Sequence, residues 1–373
     1  MTFHRLFLTC VLTSALAACG GGTGGKFPPS APVEVPANPA DQWTLVSPAS
    51  VDMDAATLNQ APALVDSSNT GVSALLVMRH GKPVLERYWN GYGKDTLHDM
   101  RSATKSITSL LVGMAIDEHD LGGVDDTLAQ WLSADYPGAP VLSRGLVLED
   151  LLTMRSGLAC NDWDNASPGN EENMYDAQDW VQFYLNLASV HSPGTTTVYC
   201  TGNPVALGHV LRNATHQSVA TFAQSHLFGP LGITSARWNT YDNATEIDTG
   251  GHMRMRPRDM ARIGQFALQR GMWNGTQLVS SAWIDASTAN HGAFDPASAE
   301  GYGYLWWRST DTRGLATIQT FYANGAGGQF IFVSPELDMV VVMTGENYGD
   351  NSAVERAHQL YGRFIIPAVN AGS

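Results

Sequence analysis

The sequence predicts an α+β fold: one antiparallel sheet drawn from strands at both chain ends and flanked by helices, with a mainly helical lobe inserted between them. Three observations carry this. Residues 72–78 and 83–88 are apolar, β-rich runs separated by Arg79-His80-Gly81-Lys82, which reads as a hairpin turn. Residues 304–308, 317–322, 329–333 and 339–344 are again short and β-rich, and their tight spacing favours antiparallel neighbours over parallel crossovers. Between these groups the apolar residues recur at helical spacing, over 125–132, 148–154, 177–187, 204–213, 219–227, 257–270 and 281–289, with Pro, Gly and Asn as punctuation. Residues 352–364 read as a closing amphipathic helix.

The N-terminus reads as a targeting segment. His4 and Arg5 precede an apolar run that ends in Leu16-Ala17-Ala18-Cys19. Small residues before a cysteine look like a bacterial lipoprotein signal over residues 1–18, cleaved so that Cys19 carries a lipid. The run is short for a membrane span; an ordinary secretory signal or a short anchor are the alternatives. Gly20 after the cysteine, with no Asp, points to export and lipid anchoring at the outer membrane, facing the periplasm. Residues 19–45, rich in Gly, Pro, Ala and Ser at their start, read as a flexible tether. Residues 46–373 then form the folded domain, with a sheet lobe over about 46–110 and 300–373 and a helical lobe over about 111–299. Once Cys10 is removed and Cys19 lipidated, Cys160 and Cys200 remain. An oxidising compartment favours a disulfide between them, two buried thiols being the alternative.

Charge and motif content narrow the chemistry. Lys+Arg number 21 against Asp+Glu 35, a net charge of -14, which repels phosphate backbones and argues against nucleic acid as a partner. The histidines are scattered and His-Glu-x-x-His is absent, so no metal is expected. The glycine cluster at residues 20–25 lies in the tether, so no nucleotide cofactor is expected either. Gly-x-Ser-x-Gly is absent, which disfavours a nucleophile-elbow hydrolase.

Ser102-Ala103-Thr104-Lys105 places a hydroxyl and an amine on one helical face, at the first turn of the most apolar helix. Free backbone N–H groups there favour a developing oxyanion, and burial of Lys105 makes its neutral amine accessible as a base. A serine needs such a neighbour to act as a nucleophile. On its own the spacing fits equally a capping serine with a surface lysine one turn on.

Further stretches add to this one: Arg101-Ser102-Ala103-Thr104-Lys105-Ser106, then Leu151-Leu152-Thr153-Met154-Arg155-Ser156-Gly157-Leu158, Tyr199-Cys200-Thr201-Gly202-Asn203, Tyr302-Gly303-Tyr304-Leu305-Trp306-Trp307 and Ala323-Asn324-Gly325-Ala326-Gly327-Gly328-Gln329. In this order they resemble the serine β-lactamase-like hydrolases. That superfamily includes class C β-lactamases, penicillin-binding proteins and related esterases, and the likeness is greatest to the 6-aminohexanoate-dimer hydrolase-like branch. The resemblance spans roughly residues 72–364. It implies an acyl-enzyme on Ser102, proton transfer by Lys105 and Tyr199, and an oxyanion hole from the backbone N–H groups of Ser102 and Ala326. Free Tyr and Lys titrate at about 10 and 10.4, so at least one must be shifted to work at neutral pH.

Two departures bear on substrate. Thr201 stands where the family carries Asn, and Ala323 where it carries Lys or His. In β-lactamases those positions help to hold the substrate, so the resemblance implies an ester or a small linear amide here. The alternatives are a β-lactamase, a D-amino-acid peptidase, or a non-catalytic binder of penicillin or cell-wall peptides. Thr201, Asn324 and Gly325 are the candidate substrate contacts, with Asn203 as a substitute hydrogen-bonding group. Tyr304 and Trp306 read either as a cleft wall or as core. A bridge from Cys200 would pin the Tyr199 loop. The acidic stretch 161–179 reads either as a lid or as a solvated face with capping residues.

Overall fold

Seven strands make the main antiparallel sheet in the computed structural model, which describes residues 32–38, 41, 43–68, 70–242, 245–298, 300–313, 316–349 and 352–370. Their order across the sheet is Gly301–Tyr302, Trp307–Arg313, Ala316–Gly325, Gln329–Ser334, Met339–Gly345, Val72–Arg79 and Lys82–Tyr88. The two chain ends therefore meet inside one sheet, with Val341 opposite Val77 and Val342 opposite Leu76. Both of these strands are buried along their whole length, because each face of the sheet is covered. Ile331 and Val340 meet Gly264 of helix Pro257–Leu268 on one face. On the other, Phe332 stacks on Tyr361 of the C-terminal helical segment at 4.4 Å. Alternation along the strand sends neighbours to opposite layers. The hairpin turn is His80-Gly81, both at positive φ (51° and 68°), the two-residue geometry that matches strand twist.

The helices follow the sequence pattern with shifted ends. The central one, Thr104–Asp117, is buried from Thr104 to Ala115 and packs on helix Gly202–Thr215. Expected helices at 204–213 and 257–270 are Gly202–Thr215 and Pro257–Leu268.

Two expectations are corrected. The strand expected at 304–308 begins only at Trp307. Residues 303–306 form a turn, with the Gly303 N–H donating to Trp306 O at 2.7 Å and Leu305 at φ 61°. The tether expected over 19–45 is docked from residue 32 wherever it is described. Val33–Glu34 pairs with Thr96–Asp99, which in turn pairs with Arg254–Met255. Asn38 Nδ2 donates to Gly232 O at 2.7 Å, and Asp41 sits among Arg256, Arg258 and Arg262. Ion pairs and strand pairing recruit this stretch, features that a Gly/Pro-rich composition hides. The signal segment 1–18 and Cys19 lie outside the described residues. Among the described residues no helix is long and apolar enough to cross a membrane.

Candidate active site

The site grows from the head of the central helix. Strand Thr96–Asp99 feeds a tight turn over Arg101–Ala103 that runs straight into helix Thr104–Asp117. Arg101 has φ 48°, a left-handed conformation that a non-glycine residue adopts only when its surroundings force it. Ser102 comes next and is half-buried. One turn on, Lys105 is 1% exposed. Its Nζ donates to Ser102 Oγ at 3.0 Å, to Thr201 Oγ1 at 3.0 Å and to Gly250 O at 2.7 Å. The spacing of three residues thus becomes a contact, and the amine is wired to two distant segments.

Around it lies a buried polar network. Thr201 is fully buried, and its hydroxyl donates to Glu171 Oε2 at 2.8 Å. Asp162 brackets that pair: its Oδ2 accepts the Thr201 N–H at 2.6 Å and its Oδ1 the Glu171 N–H at 3.0 Å. Burial drives the Asp162 carboxyl well above the usual range, aided by the Glu171 charge and opposed by Lys105. Asp248 Oδ1 accepts the Gly250 N–H at 2.9 Å, on the residue whose carbonyl accepts from Lys105. Burial pushes Asp248 up to about 6, against the pull of His252 and Lys105. A Cβ on Gly250 would lie 2.6 Å from Thr201 Cγ2, so only glycine lets this strip run so close.

Tyr199 presents its ring to the amine, with Lys105 Nζ 5.0 Å from the ring centroid. Trp163 stacks on the same ring at 5.4 Å and 7°, while Phe294 and Trp307 close the aromatic box at 5.6 and 5.9 Å. Cys160 and Cys200 form a disulfide with Cα atoms 5.5 Å apart. Beside it the Asp162 N–H donates to Tyr199 O at 3.0 Å. The Tyr199 loop is therefore tied to the loop carrying Asp162 and Glu171.

Strand Ala316–Gly325 ends against the serine's turn. A Cβ on Gly325 would fall 2.1 Å from Met100 O, so the backbones touch there, and Ala326 follows at the surface. The buried Gln329 side chain ties this end together, donating to Gly345 O at 2.6 Å and Ala326 O at 3.4 Å. Asn324 lies on the same strand end and is 4% exposed.

The remaining candidates sit elsewhere. Trp306 is fully buried and packs edge-on against Phe321 at 5.5 Å; Tyr304 stacks on His291 and donates to Glu149 Oε1 at 2.5 Å. Both are core residues, because the 303–306 turn rotates them away from Tyr199 and leaves Trp307 facing it. Thr201 is turned to Lys105 and Glu171. Asn203 is buried, accepting from Tyr184 Oη at 2.8 Å and donating to Met154 Sδ at 3.4 Å. The acidic stretch divides: Asp164 and Asp176 are exposed, Asp179 caps helix Trp180–Leu185, and Asp162 and Glu171 turn inward. Sequence reasoning missed Asp162, Glu171, Asp248 and Gly250. The Gly250-Gly251 pair beside His252 was the one local signal of a close approach.

Comparison with known proteins places the fold. The family described as Beta-lactamase matches residues 61–361. A 6-aminohexanoate-dimer hydrolase of Paenarthrobacter ureafaciens is 25% identical over 295 residues, covering 73% of this chain and 72% of that protein. A solved structure of a candidate 6-aminohexanoate-dimer hydrolase from Bacillus anthracis is 22% identical, covers 82% of this chain and 80% of its own, and superposes with a TM-score of 0.69. A solved D-stereospecific amidohydrolase from Streptomyces sp. is 16% identical, covers 82% of this chain and 98% of its own, and superposes with a TM-score of 0.63.

Proposed function

We propose, from the premise that this chain belongs to the beta-lactamase family, that it is a serine hydrolase of esters or small linear amides. Ser102 is the nucleophile, Lys105 its base, and Tyr199 the group that protonates the leaving group. The observation that carries the reading is the 3.0 Å contact between Lys105 Nζ and Ser102 Oγ at the head of a buried helix. In the first step the Ser102 proton passes to a neutral Lys105 as Oγ bonds to the carbonyl carbon. The resulting oxyanion is received by the N–H groups of Ser102 and Ala326, whose segments are held together at Gly325. The leaving group departs with the Tyr199 proton, and Lys105 returns that proton to the phenolate. Water then repeats the sequence on the acyl-enzyme.

Ala323 and the committed hydroxyl of Thr201 support an ester or linear amide over a β-lactam, as does the relative that acts as a 6-aminohexanoate-dimer hydrolase. The test is a fluorophosphonate label with Ser102→Ala as blank, followed by rates on p-nitrophenyl acetate, a linear amide and a chromogenic cephalosporin. Labelling at Ser102 with ester or amide turnover is expected. Faster cephalosporin turnover would reverse the substrate reading, and labelling without turnover would make the protein a binder. The signal at 1–18, the lipid on Cys19 and the periplasm-facing address belong to the same proposal. Loss of membrane association in Cys19→Ala is their check.

A further inference from the structure

The hydrogen bonds around Lys105 run in one direction. Lys105 Nζ donates to Thr201 Oγ1 at 3.0 Å, and Thr201 Oγ1 donates onward to Glu171 Oε2 at 2.8 Å. Thr201 is 0% and Lys105 1% exposed, so this path is shielded from bulk water over its first two members. Asp162 fixes both ends of the second link by accepting the backbone N–H of Thr201 and of Glu171. A hydroxyl that both accepts and donates is the minimal element of a proton path.

We propose that Glu171, acting through Thr201, is the proton acceptor that turns Lys105 into a neutral base. This rests on the reading of Ser102 as nucleophile and Lys105 as base. The step balances: an N–H of the Lys105 ammonium gives its proton to Thr201 Oγ1 while the Thr201 O–H proton moves to Glu171 Oε2. The products are a neutral amine, an intact threonine and a protonated carboxyl. The amine then takes the Ser102 proton as Oγ attacks, and the reverse path resets the site after deacylation. Thr201 and Glu171 act through Lys105 and are positioning residues. The charged and titratable groups facing this path are Asp162 from the 161–170 loop, Tyr175 from helix Glu171–Tyr175, Asp248 and His252 from the strip beside the central helix, and Tyr199. Asp162 accepts backbone N–H groups with both oxygens and also interacts with the Thr201 side chain, and Asp248 accepts one N–H through Oδ1, whereas Glu171 Oε2 takes the hydroxyl that Lys105 itself contacts. The Tyr175 hydroxyl also donates to Glu171 Oε2, at 3.1 Å, and steadies that oxygen.

The experiment compares the full chain with Glu171→Gln, Glu171→Asp, Thr201→Val and Thr201→Ser, measuring kcat, KM and the pH profile of kcat/KM on p-nitrophenyl acetate. Glutamine still accepts the threonine hydrogen bond but takes no proton. Glu171→Gln is expected to lower kcat about 10- to 100-fold, to leave KM within about twofold, and to move the acidic limb up by about one pH unit or more. Thr201→Val is expected to match it, while Thr201→Ser and Glu171→Asp recover much of the loss. A Glu171→Gln rate within about twofold of wild type, or a lower rate with an unmoved acidic limb, overturns the proposal. Fluorophosphonate labelling of the same wild-type preparation separates the two readings. Without a label on Ser102 the nucleophile reading falls and takes this one with it. With the label present and Glu171→Gln behaving as wild type, only the proton path falls.

Discussion

Asp99 holds Arg101 from two sides: its Oδ1 accepts the Arg101 backbone N–H at 2.9 Å, and its Oδ2 lies 3.3 Å from Arg101 Nε. The same Oδ2 is 3.1 Å from His252 Nδ1. Burial pushes this carboxyl up, but the His252 hydrogen bond and the charges of His252 and Arg101 outweigh it and hold Asp99 below the usual range. The clamp fixes the left-handed Arg101 immediately before Ser102. Asp99→Ala is expected to destabilise the fold by about 2 kcal/mol, since it removes the acceptor of the Arg101 backbone N–H and the partner of His252 Nδ1, and to slow fluorophosphonate labelling of Ser102. An unchanged labelling rate in a folded Asp99→Ala protein would remove this carboxylate from the alignment of the serine.

Neighbouring tryptophans should separate in assay. Trp306 is fully buried in the core, whereas Trp307 faces the Tyr199 ring at 5.9 Å. Trp306→Ala is expected to lower stability by about 3–5 kcal/mol, read by denaturant unfolding. Trp307→Phe keeps a ring in the aromatic box and is expected to cost less, about 1–2 kcal/mol, and to change KM. The opposite assignment of effects would contradict the turn at residues 303–306.

The Cys160–Cys200 bridge closes a loop with a sequence separation of 40. In the chain-entropy picture such a crosslink contributes about 4 kcal/mol. Reduction, confirmed by mass, is expected to lower Tm and to reduce hydrolysis, because it frees the segments carrying Asp162, Glu171 and Tyr199 from one another. Full activity in the reduced protein would show that backbone pairing alone holds those loops.

Stability should fall on mild acidification through His98. Burial lowers this imidazole from 6.5 to about 3, and it packs against Tyr92 at 4.3 Å. The unfolded chain takes up that proton first, so the contribution is whole above about pH 6.5 and is lost progressively toward about pH 3. Asp248 has the opposite sign: with its carboxyl raised from 3.8 to about 6, the folded state binds the proton first and gains as pH falls through that window. His98→Asn should flatten the decline of unfolding free energy between about pH 6.5 and 4, and Asp248→Asn should steepen it. Parallel curves for wild type and both variants would contradict these burial effects.

Local patterning made much of this architecture readable. Hairpin 72–88 and the strands from 317 onward show their period and turn residues in the chain itself, and Ser102 and Lys105 are one helical turn apart. What was hidden is side-chain direction set by tertiary contact. Asp162 and Glu171 look like the solvated acids around them, and only the fold shows two turned inward to bracket Thr201. Tyr304 and Trp306 alternate as strand residues should, yet Leu305 at positive φ breaks the alternation. Residues 32–38 lack an apolar pattern because backbone pairing and side-chain hydrogen bonds of Glu34 and Asn38, not burial of large side chains, hold that stretch down.

The pairing of Val72–Arg79 with Met339–Gly345 also dictates when this molecule can mature. A ribosome or translocon delivers the first of these strands long before the second, so an apolar edge waits unpaired while most of the polypeptide emerges. Loop closure over that span is slow, which leaves a prolonged interval open to self-association. Chaperone dependence during biogenesis, and poor recovery from denaturant at high protein concentration, are the expected costs of joining the two ends of a chain in one sheet.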